Sequence, residues 1–356
     1  MKAVVLEDHG GFDALKLVER PMPKPGRQEV IMRVKATALN YRDVEIARGT
    51  YHTRFQLPLV PLSDGAGEVV AVGEGVTRVK VGDRVCSTFW QRWISGPFEM
   101  CEPSYQLGGP IDGLLAEYAR LDEQALVHVP EHLDDVEAAT LPCAAVTAWH
   151  ALVTEGGLKP GETVLALGTG GVSIFATQFA VMAGARAIIT SSSDEKIERA
   201  RKLGAHAGIN YRKHPDWAEE VLKITGGRGV DHVIEVGGPQ SFAQSLKAVH
   251  SGGQINVIGY LGGTEGAINP LDIFRRKAVV RGIPVGSRSS FEAMTRAISA
   301  NGLRPVVDRV FPWTEAKAAL RYLESGGHFG KIVLKHDEGR KKNCLVPSDG
   351  SRPQTK

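Results

Sequence analysis

Thr163-Val-Leu-Ala-Leu-Gly168-Thr-Gly170-Gly171-Val-Ser173-Ile-Phe-Ala-Thr-Gln-Phe-Ala180 decides how the rest of this chain reads. A Pro160-Gly161 turn leads into it, and the continuous apolar run that follows has the pattern of a buried parallel strand. Gly168, Gly170 and Gly171 come next, and from Val172 to Met182 the apolar positions recur at helical spacing. Strand, glycine turn and helix together make a dinucleotide fingerprint. Gly168 allows the tight turn, and Gly170 lets backbone N–H groups approach a pyrophosphate. The helix start adds unpaired donors and the positive end of its dipole. Ser173 takes the third glycine position and is small enough for close helix–strand packing.

Downstream, strands and helices alternate. Ala187–Thr190, Ala207–Asn210, Val230–Val236, Gly253–Ile258 and Ala278–Gly282 read as strands; Asp194–Leu203, Asp216–Ile224 and Phe242–Val249 read as helices. That rhythm demands a parallel sheet covered by helices. Glycines at strand ends, such as Gly237 and Gly259, suit the crevice where nucleotides bind. Upstream, residues 1 to about 122 carry short alternating runs between frequent turn signals, which points to a small β-barrel. Asn40 to Gly49 reads as a short helix inside it, and Leu133–Val153 as a helical region after it. The irregular stretch from Cys86 to Tyr118 holds Trp90, Trp93, Phe98 and Tyr105, which either wall a substrate cleft or pin the loop to the core. After Val285 come a helix, a short strand around Val306-Val307, another helix and a strand at Lys331–Leu334. The parallel sheet is complete before this point, so the last part is expected to rejoin the first domain.

At 356 residues the chain is long enough for two domains, and 42% hydrophobic residues is ordinary for a globular protein. A net charge of +3, spread along the sequence, gives no nucleic-acid stripe. The apolar run at the amino end is short and broken by acids, so neither a signal peptide nor a membrane span is expected. Cys86, Cys101, Cys143 and Cys344 form no C-x-x-C pair, and a reducing cytoplasm is the expected location. The polar, glycine- and proline-bearing tail over 337–356 reads as disordered and outside the fold.

Gly65-Ala-Gly67-Glu-Val-Val-Ala-Val-Gly73, Val81-Gly82-Asp83-Arg84-Val85, Gly113-Leu-Leu-Ala-Glu117-Tyr118, the fingerprint and Phe329-Gly330-Lys331 occur in this order. With that order and spacing the chain resembles the medium-chain dehydrogenases/reductases over residues 1 to 336. The resemblance implies an α/β protein: a discontinuous, GroES-like β-rich catalytic domain over 1–143 and 286–336, with a Rossmann doubly wound parallel-sheet cofactor domain over 144–285. It also implies hydride chemistry on a nicotinamide with a small-molecule substrate, and a homodimer. Cofactor contacts are implied at Thr147, Gly168, Thr169, Gly170, Gly171, Val172, Ser191, Ser192, Lys196, Tyr211, Gly237, Gly259, Tyr260, Phe329 and Lys331. In zinc-dependent members a cysteine stands at Asn40 and a histidine at Ser63, with a third ligand at Cys143. Asn40 and Ser63 cannot complete a usual zinc set. The loop of the structural zinc lobe offers only Cys101, so both metals are expected to be absent and Cys143 to be a small buried hydrophobe. The segment Asn40-Tyr-Arg-Asp-Val with Gly49-Thr-Tyr51 resembles quinone oxidoreductases and enoyl reductases.

NAD enzymes carry an acid about 20 residues past the fingerprint. Here that strand ends in Ser191-Ser192-Ser193, which leaves room for a 2′-phosphate, and Lys196 and Tyr211 follow where similar quinone oxidoreductases hold it. NADPH is therefore the expected cofactor. Asp194 is read as a first-turn helix acid, favoured there by the dipole, and Lys196 reads equally as a solvated lysine. Tyr51 stands where similar mitochondrial enoyl reductases place a proton donor; packing beside Phe55 is its alternative. Asn40 and Tyr41 are candidate partners of the carbonyl or the nicotinamide ribose, with packing again open for Tyr41. The expected activity is zinc-independent reduction of a small quinone or an α,β-unsaturated carbonyl. An alcohol dehydrogenase or carbonyl reductase, and a non-catalytic NADPH-binding protein, are the alternatives.

Overall fold

The computed structural model describes residues 1–99 and 102–336. The tail over 337–356 and the reading of Cys101 lie outside the described residues.

The fingerprint strand β8 (Thr163–Ala166) is the first of six parallel strands. The others are β9 (Arg186–Ser191), β10 (Ala207–Asn210), β11 (Val230–Glu235), β12 (Val249–Val257) and β13 (Val279–Gly282). Their spatial order is β10-β9-β8-β11-β12-β13. The chain winds outward from β8, then crosses over to β11, so the order reverses between these two strands and opens a crevice at their carboxyl ends. Alternation along the strands explains why both faces are covered. Leu165, Ile188 and Val233 pack with Trp217 and Phe242 on one side. Val164, Ala166, Ile189 and Ile234 pack with Phe175 and Phe179 on the other. The covering helices are α4 (Gly171–Met182), α5 (Asp194–Lys202), α6 (Trp217–Ile224), α7 (Pro239–Ala248) and α8 (Pro270–Arg276). They follow α1 (Tyr41–Arg48) and the single-turn α2 (Asp135–Ala138) and α3 (Val146–Trp149).

The remaining strands are β1 (Lys2–Leu6), β2 (Leu15–Glu19), β3 (Glu29–Ala38), β4 (Asp64–Val72), β5 (Arg84–Ser87), β6 (Tyr118–Asp122), β7 (Leu126–His128), β14 (Val307–Pro312) and β15 (Lys331–Lys335). β1 and β2 form a hairpin, and the other seven form one mixed sheet built around β3, which pairs with β4, β6 and β15. Residues from both ends of the sequence thus share a sheet that flanks the parallel one. Between β13 and β15 lie α9 (Arg288–Asn301), β14 and α10 (Ala316–Glu324).

Several sequence expectations need correction. The strand expected around Val306-Val307 runs on to Pro312, because Phe311 turns into the core while Arg309 and Val310 face out, and it pairs in parallel with β15. The helical region from Leu133 is not uniform: Leu141–Ala145 and His150–Thr154 are π-helical turns on either side of α3. Pro142 in the first of them has no N–H to offer an α-helical ladder. Trp90 and Trp93 are buried core residues; the Trp90 indole donates to Pro284 O and Trp93 stacks edge-on to His150. Of the two readings open for the loop aromatics, these two take the one that pins the loop to the core.

Candidate active site

At the crevice, Gly168 adopts φ of 75°, and a Cβ there would meet nothing within 4 Å. The turn needs glycine for its conformation, and the space in front of it is open. Gly170 caps α4 without any side-chain hydrogen bond, so the first-turn N–H groups face the crevice unclaimed by side chains. A Cβ on Gly171 would lie 2.6 Å from Lys331 Cδ, so the fingerprint packs directly on the returning strand. Thr169 O accepts from Gly330 N, and Ser173 Oγ donates to Leu167 O to close the turn from below. These residues fit a dinucleotide pyrophosphate.

The far end of the crevice lies at the tip of β9. Ser191 is buried, Ser192 is half-buried, and Ser193 Oγ accepts from Lys196 N at the start of α5. Asp194 lies in the first turn of α5, where Asn210 Nδ2 and Lys213 Nζ donate to it, and those bonds hold its carboxyl below the usual range. Lys196 Nζ donates to Gly326 O, and Tyr211 is exposed beside the strand end. Glu235 was missed in the sequence. Its fully buried carboxylate receives Gly237 N, Gly238 N, Ser241 Oγ and Ser245 Oγ, which fixes the turn after β11, while its backbone oxygen receives Ile258 N and Gly259 N. An acid at the end of an apolar run just before Gly237-Gly238 was the available signal.

Across the crevice, α1 brings a charged corner into the interior. Asn40 N donates to Asp43 Oδ2 at 2.8 Å, while Asn40 Oδ1 accepts from Lys331 Nζ at 2.6 Å; its buried Nδ2 lies toward Asp64, short of a well-formed hydrogen bond. Lys331 Nζ also donates to Leu39 O and lies 3.9 Å from Asp64 Oδ2. Asp64, at the start of β4, is fully buried and accepts from Ser63 Oγ and Cys143 N, the latter delivered by the first π-turn. Burial pushes Asp64 up against the opposing pull of Lys331, and pushes Asp43 up to about 6 against Arg42. Arg42 is itself buried. It donates to Leu107 O, Gly109 O and Gln106 Oε1, and it stacks over the Tyr51 ring at 5.0 Å and the Phe89 ring at 4.8 Å. Tyr51 OH lies 2.9 Å from the same Gln106 Oε1. Burial raises the Tyr51 pKa, with Arg42 opposing. His52 follows, stacked on Tyr51 at 4.3 Å and edge-on to Tyr260 at 6.5 Å; Tyr260 rises from the loop after β12 and is pushed up to about 12 by desolvation. This aromatic row joins the two sides of the crevice.

Asn40 and Tyr51 are therefore brought to one corner, linked through Arg42 and Asp43. Tyr41 is not; it is 42% exposed on the outer side of α1. Thr147 Oγ1 is spent on Cys143 O. Two expected cofactor contacts shift. The Phe329 ring is buried in the core with Arg199 stacked on it, and the Lys331 ammonium passes beneath Gly171 to reach Asn40. Cys143 is half-buried beside the core, not enclosed in it, and its surroundings push the thiol far above its usual range. Gln106 carried no sequence signal, and Arg42 stood within the segment Asn40-Tyr-Arg-Asp-Val without a role of its own, since each gains meaning only through the other.

A zinc ion does not suit this donor set. Asn40 Oδ1 is engaged by an ammonium, Ser63 donates its proton to Asp64, and Lys331 would oppose a dication. Among the described residues no group of three or more His, Cys, Asp and Glu is placed to hold a metal, and no helix is long and apolar enough to cross a membrane.

Comparison with known proteins supports the fold. The family model described as an alcohol dehydrogenase GroES-like domain matches residues 26–131, and that of a zinc-binding dehydrogenase matches 171–300. A zinc-type alcohol dehydrogenase-like protein of Schizosaccharomyces pombe is 47% identical, over 95% of this chain and 99% of its own. Human quinone oxidoreductase is 30% identical over 94% of this chain and 97% of its own. A crystal structure of a putative alcohol dehydrogenase from Sinorhizobium meliloti superposes with a TM-score of 0.86 at 43% identity, covering 94% of this chain and 98% of that one. A mycobacterial protein solved as a complex with NADPH superposes with a TM-score of 0.80 at 27% identity, covering 94% of this chain and all of that one, 100%. The chain belongs to the medium-chain dehydrogenase/reductase family of NAD(P)-binding oxidoreductases, with a GroES-like domain joined to a Rossmann-type sheet.

Proposed function

We propose that this protein is an NADPH-dependent, zinc-independent reductase of a small quinone or an α,β-unsaturated carbonyl compound. The observation that carries the reading is the corner at Asn40: the Lys331 ammonium holds its Oδ1 and its buried Nδ2 lies toward Asp64, so the corner offers an amide and an ammonium in place of a metal. A bound nicotinamide supplies a hydride. Asn40 Nδ2 then binds the substrate oxygen as charge develops there, and Tyr51 gives the proton that completes reduction of an enone. The preference for NADPH is supported by the absence of an acid at the tip of β9, by Asp194 being turned to Asn210 and Lys213, and by Lys196 and Tyr211 standing nearby.

The reading includes a cytoplasmic homodimer. Cys86 and Cys143 are free thiols, which suits a reducing compartment. β13 is the edge of the parallel sheet, and Val279, Val280, Leu271 and Phe274 beside it are exposed, the last by 76%. The test of function is NADPH and NADH oxidation with 9,10-phenanthrenequinone, an enone and a simple ketone. Turnover of the first two with NADPH supports the reading. Turnover of only the ketone makes the protein a carbonyl reductase, and no turnover with tight NADPH binding makes it a non-catalytic binder.

A further inference from the structure

Arg42 fixes more than its own place. Its guanidinium has no acceptor, so the atom of Gln106 that faces it must be the amide oxygen. Tyr51 OH, 2.9 Å from that same oxygen, must therefore donate to it. Gln106 is fully buried, and its Nε2 is directed to Thr53 Oγ1, so the amide cannot turn over without facing Nε2 to the guanidinium. The phenol proton thus rests on Gln106, and the Arg42 guanidinium lies beside the phenol oxygen.

Resting on the reading of Tyr51 given above, we propose that Gln106 and Arg42 are positioning residues that set the direction and the acidity of the Tyr51 phenol. When hydride adds to the β-carbon of an enone, the C=C π pair passes to the enolate. The phenol O–H then leaves Gln106 and breaks toward the α-carbon, forming the C–H bond and leaving a phenolate. Arg42, with its guanidinium carbon 5.0 Å from the ring centroid, stabilises that phenolate, and solvent returns the proton. The other groups that bear on the phenol are Glu45 from α1, Cys143 from the π-turn, the adjacent His52, and Tyr260 from across the crevice.

Two measurements test this. The first needs no turnover. The difference in alkaline absorption between the parent and Tyr51→Phe isolates the ionisation of one tyrosine. Gln106→Leu removes the acceptor of the protonated form and should lower that midpoint by about one pH unit; Gln106→Glu, which keeps an acceptor, should not lower it. An unchanged midpoint in Gln106→Leu overturns the proposal. The second is a double-mutant cycle in enone reduction. Gln106→Leu releases the phenol from its fixed orientation, so although the acid is stronger kcat should fall about tenfold, a part of the 10²–10⁴-fold range of a general acid, with NADPH affinity unchanged. It should add nothing in a Tyr51→Phe background. An equal loss in both backgrounds overturns the proposal and makes Gln106 merely structural. If Arg42→Met does not fold, Arg42→Lys, which keeps the charge but not the paired donors, should retain the ionisation midpoint more closely than kcat. An enone rate unaffected by Tyr51→Phe removes the functional reading itself, whatever Gln106 does.

Discussion

The two walls of the crevice are built by different means. The fingerprint wall is nearly all backbone: Gly168, Gly170 and Gly171 strip away side chains so that a helix end can approach a ligand. The opposite wall is nearly all side chain, with two buried cations, Arg42 and Lys331, interleaved with two buried carboxylates, Asp43 and Asp64. The first needs only a local turn and a glycine pattern. The second needs α1, β4, a π-turn, a loop and β15, which meet only after folding. On the proposed function, binding a common cofactor is the work of the first wall, and selecting the chemistry is the work of the second.

The largest expected effect falls on the side-chain wall. Tyr51→Phe should lower enone reduction by about 10²–10⁴-fold with NADPH affinity unchanged. Quinone reduction, whose oxygen anions take protons from water, should fall much less, and equal losses for both substrates would break the contrast. Lys331→Met should also act there, but on stability. Removing an ammonium that is 3% exposed leaves Asp64 buried without its cation, at a cost of about 3–5 kcal/mol in chemical denaturation. An intermediate effect belongs to the cofactor wall: Lys196→Ala should weaken NADPH by about 1.5–3 kcal/mol and leave NADH unchanged, in titrations of both cofactors.

The last effect is a pH dependence confined to the charged corner, small at any one pH step. Asp43 is held at about 6, above its ordinary 3.8, so between these values the folded protein binds more protons than the unfolded chain. Stability from this group is highest below 3.8 and declines as pH rises toward 6, by about 1.4 kcal/mol per pH unit where the difference is one proton. Asp43→Asn should flatten that part of the stability curve relative to the parent, as read by denaturation midpoints. An unchanged slope would show that Arg42 compensates the carboxylate fully.

The contrast also explains what could be read from the sequence. The parallel sheet was legible because β8, β9 and β11 are short apolar runs ended by glycine or serine, and the return of the chain into the mixed sheet followed from β15 coming after a complete parallel unit. Asn40 and Ser63 were legible as a departure from metal ligation. Gln106 was not, because a glutamine in an irregular stretch gives no period or spacing, and only Arg42 and Tyr51 together define its role. Lys331 was placed at the cofactor by the resemblance of Phe329-Gly330-Lys331; its long side chain carries the charge past Gly171 to the other wall. Phe329 was placed there by resemblance, and its ring turns into the core.

The most direct test of the account measures turnover and metal on one sample: NADPH oxidation by an α,β-unsaturated ketone, with zinc content determined before and after prolonged exposure to a strong chelator. The account predicts steady turnover with far less than one zinc per chain and no loss on chelation. One zinc per chain, removed together with the activity, would contradict it.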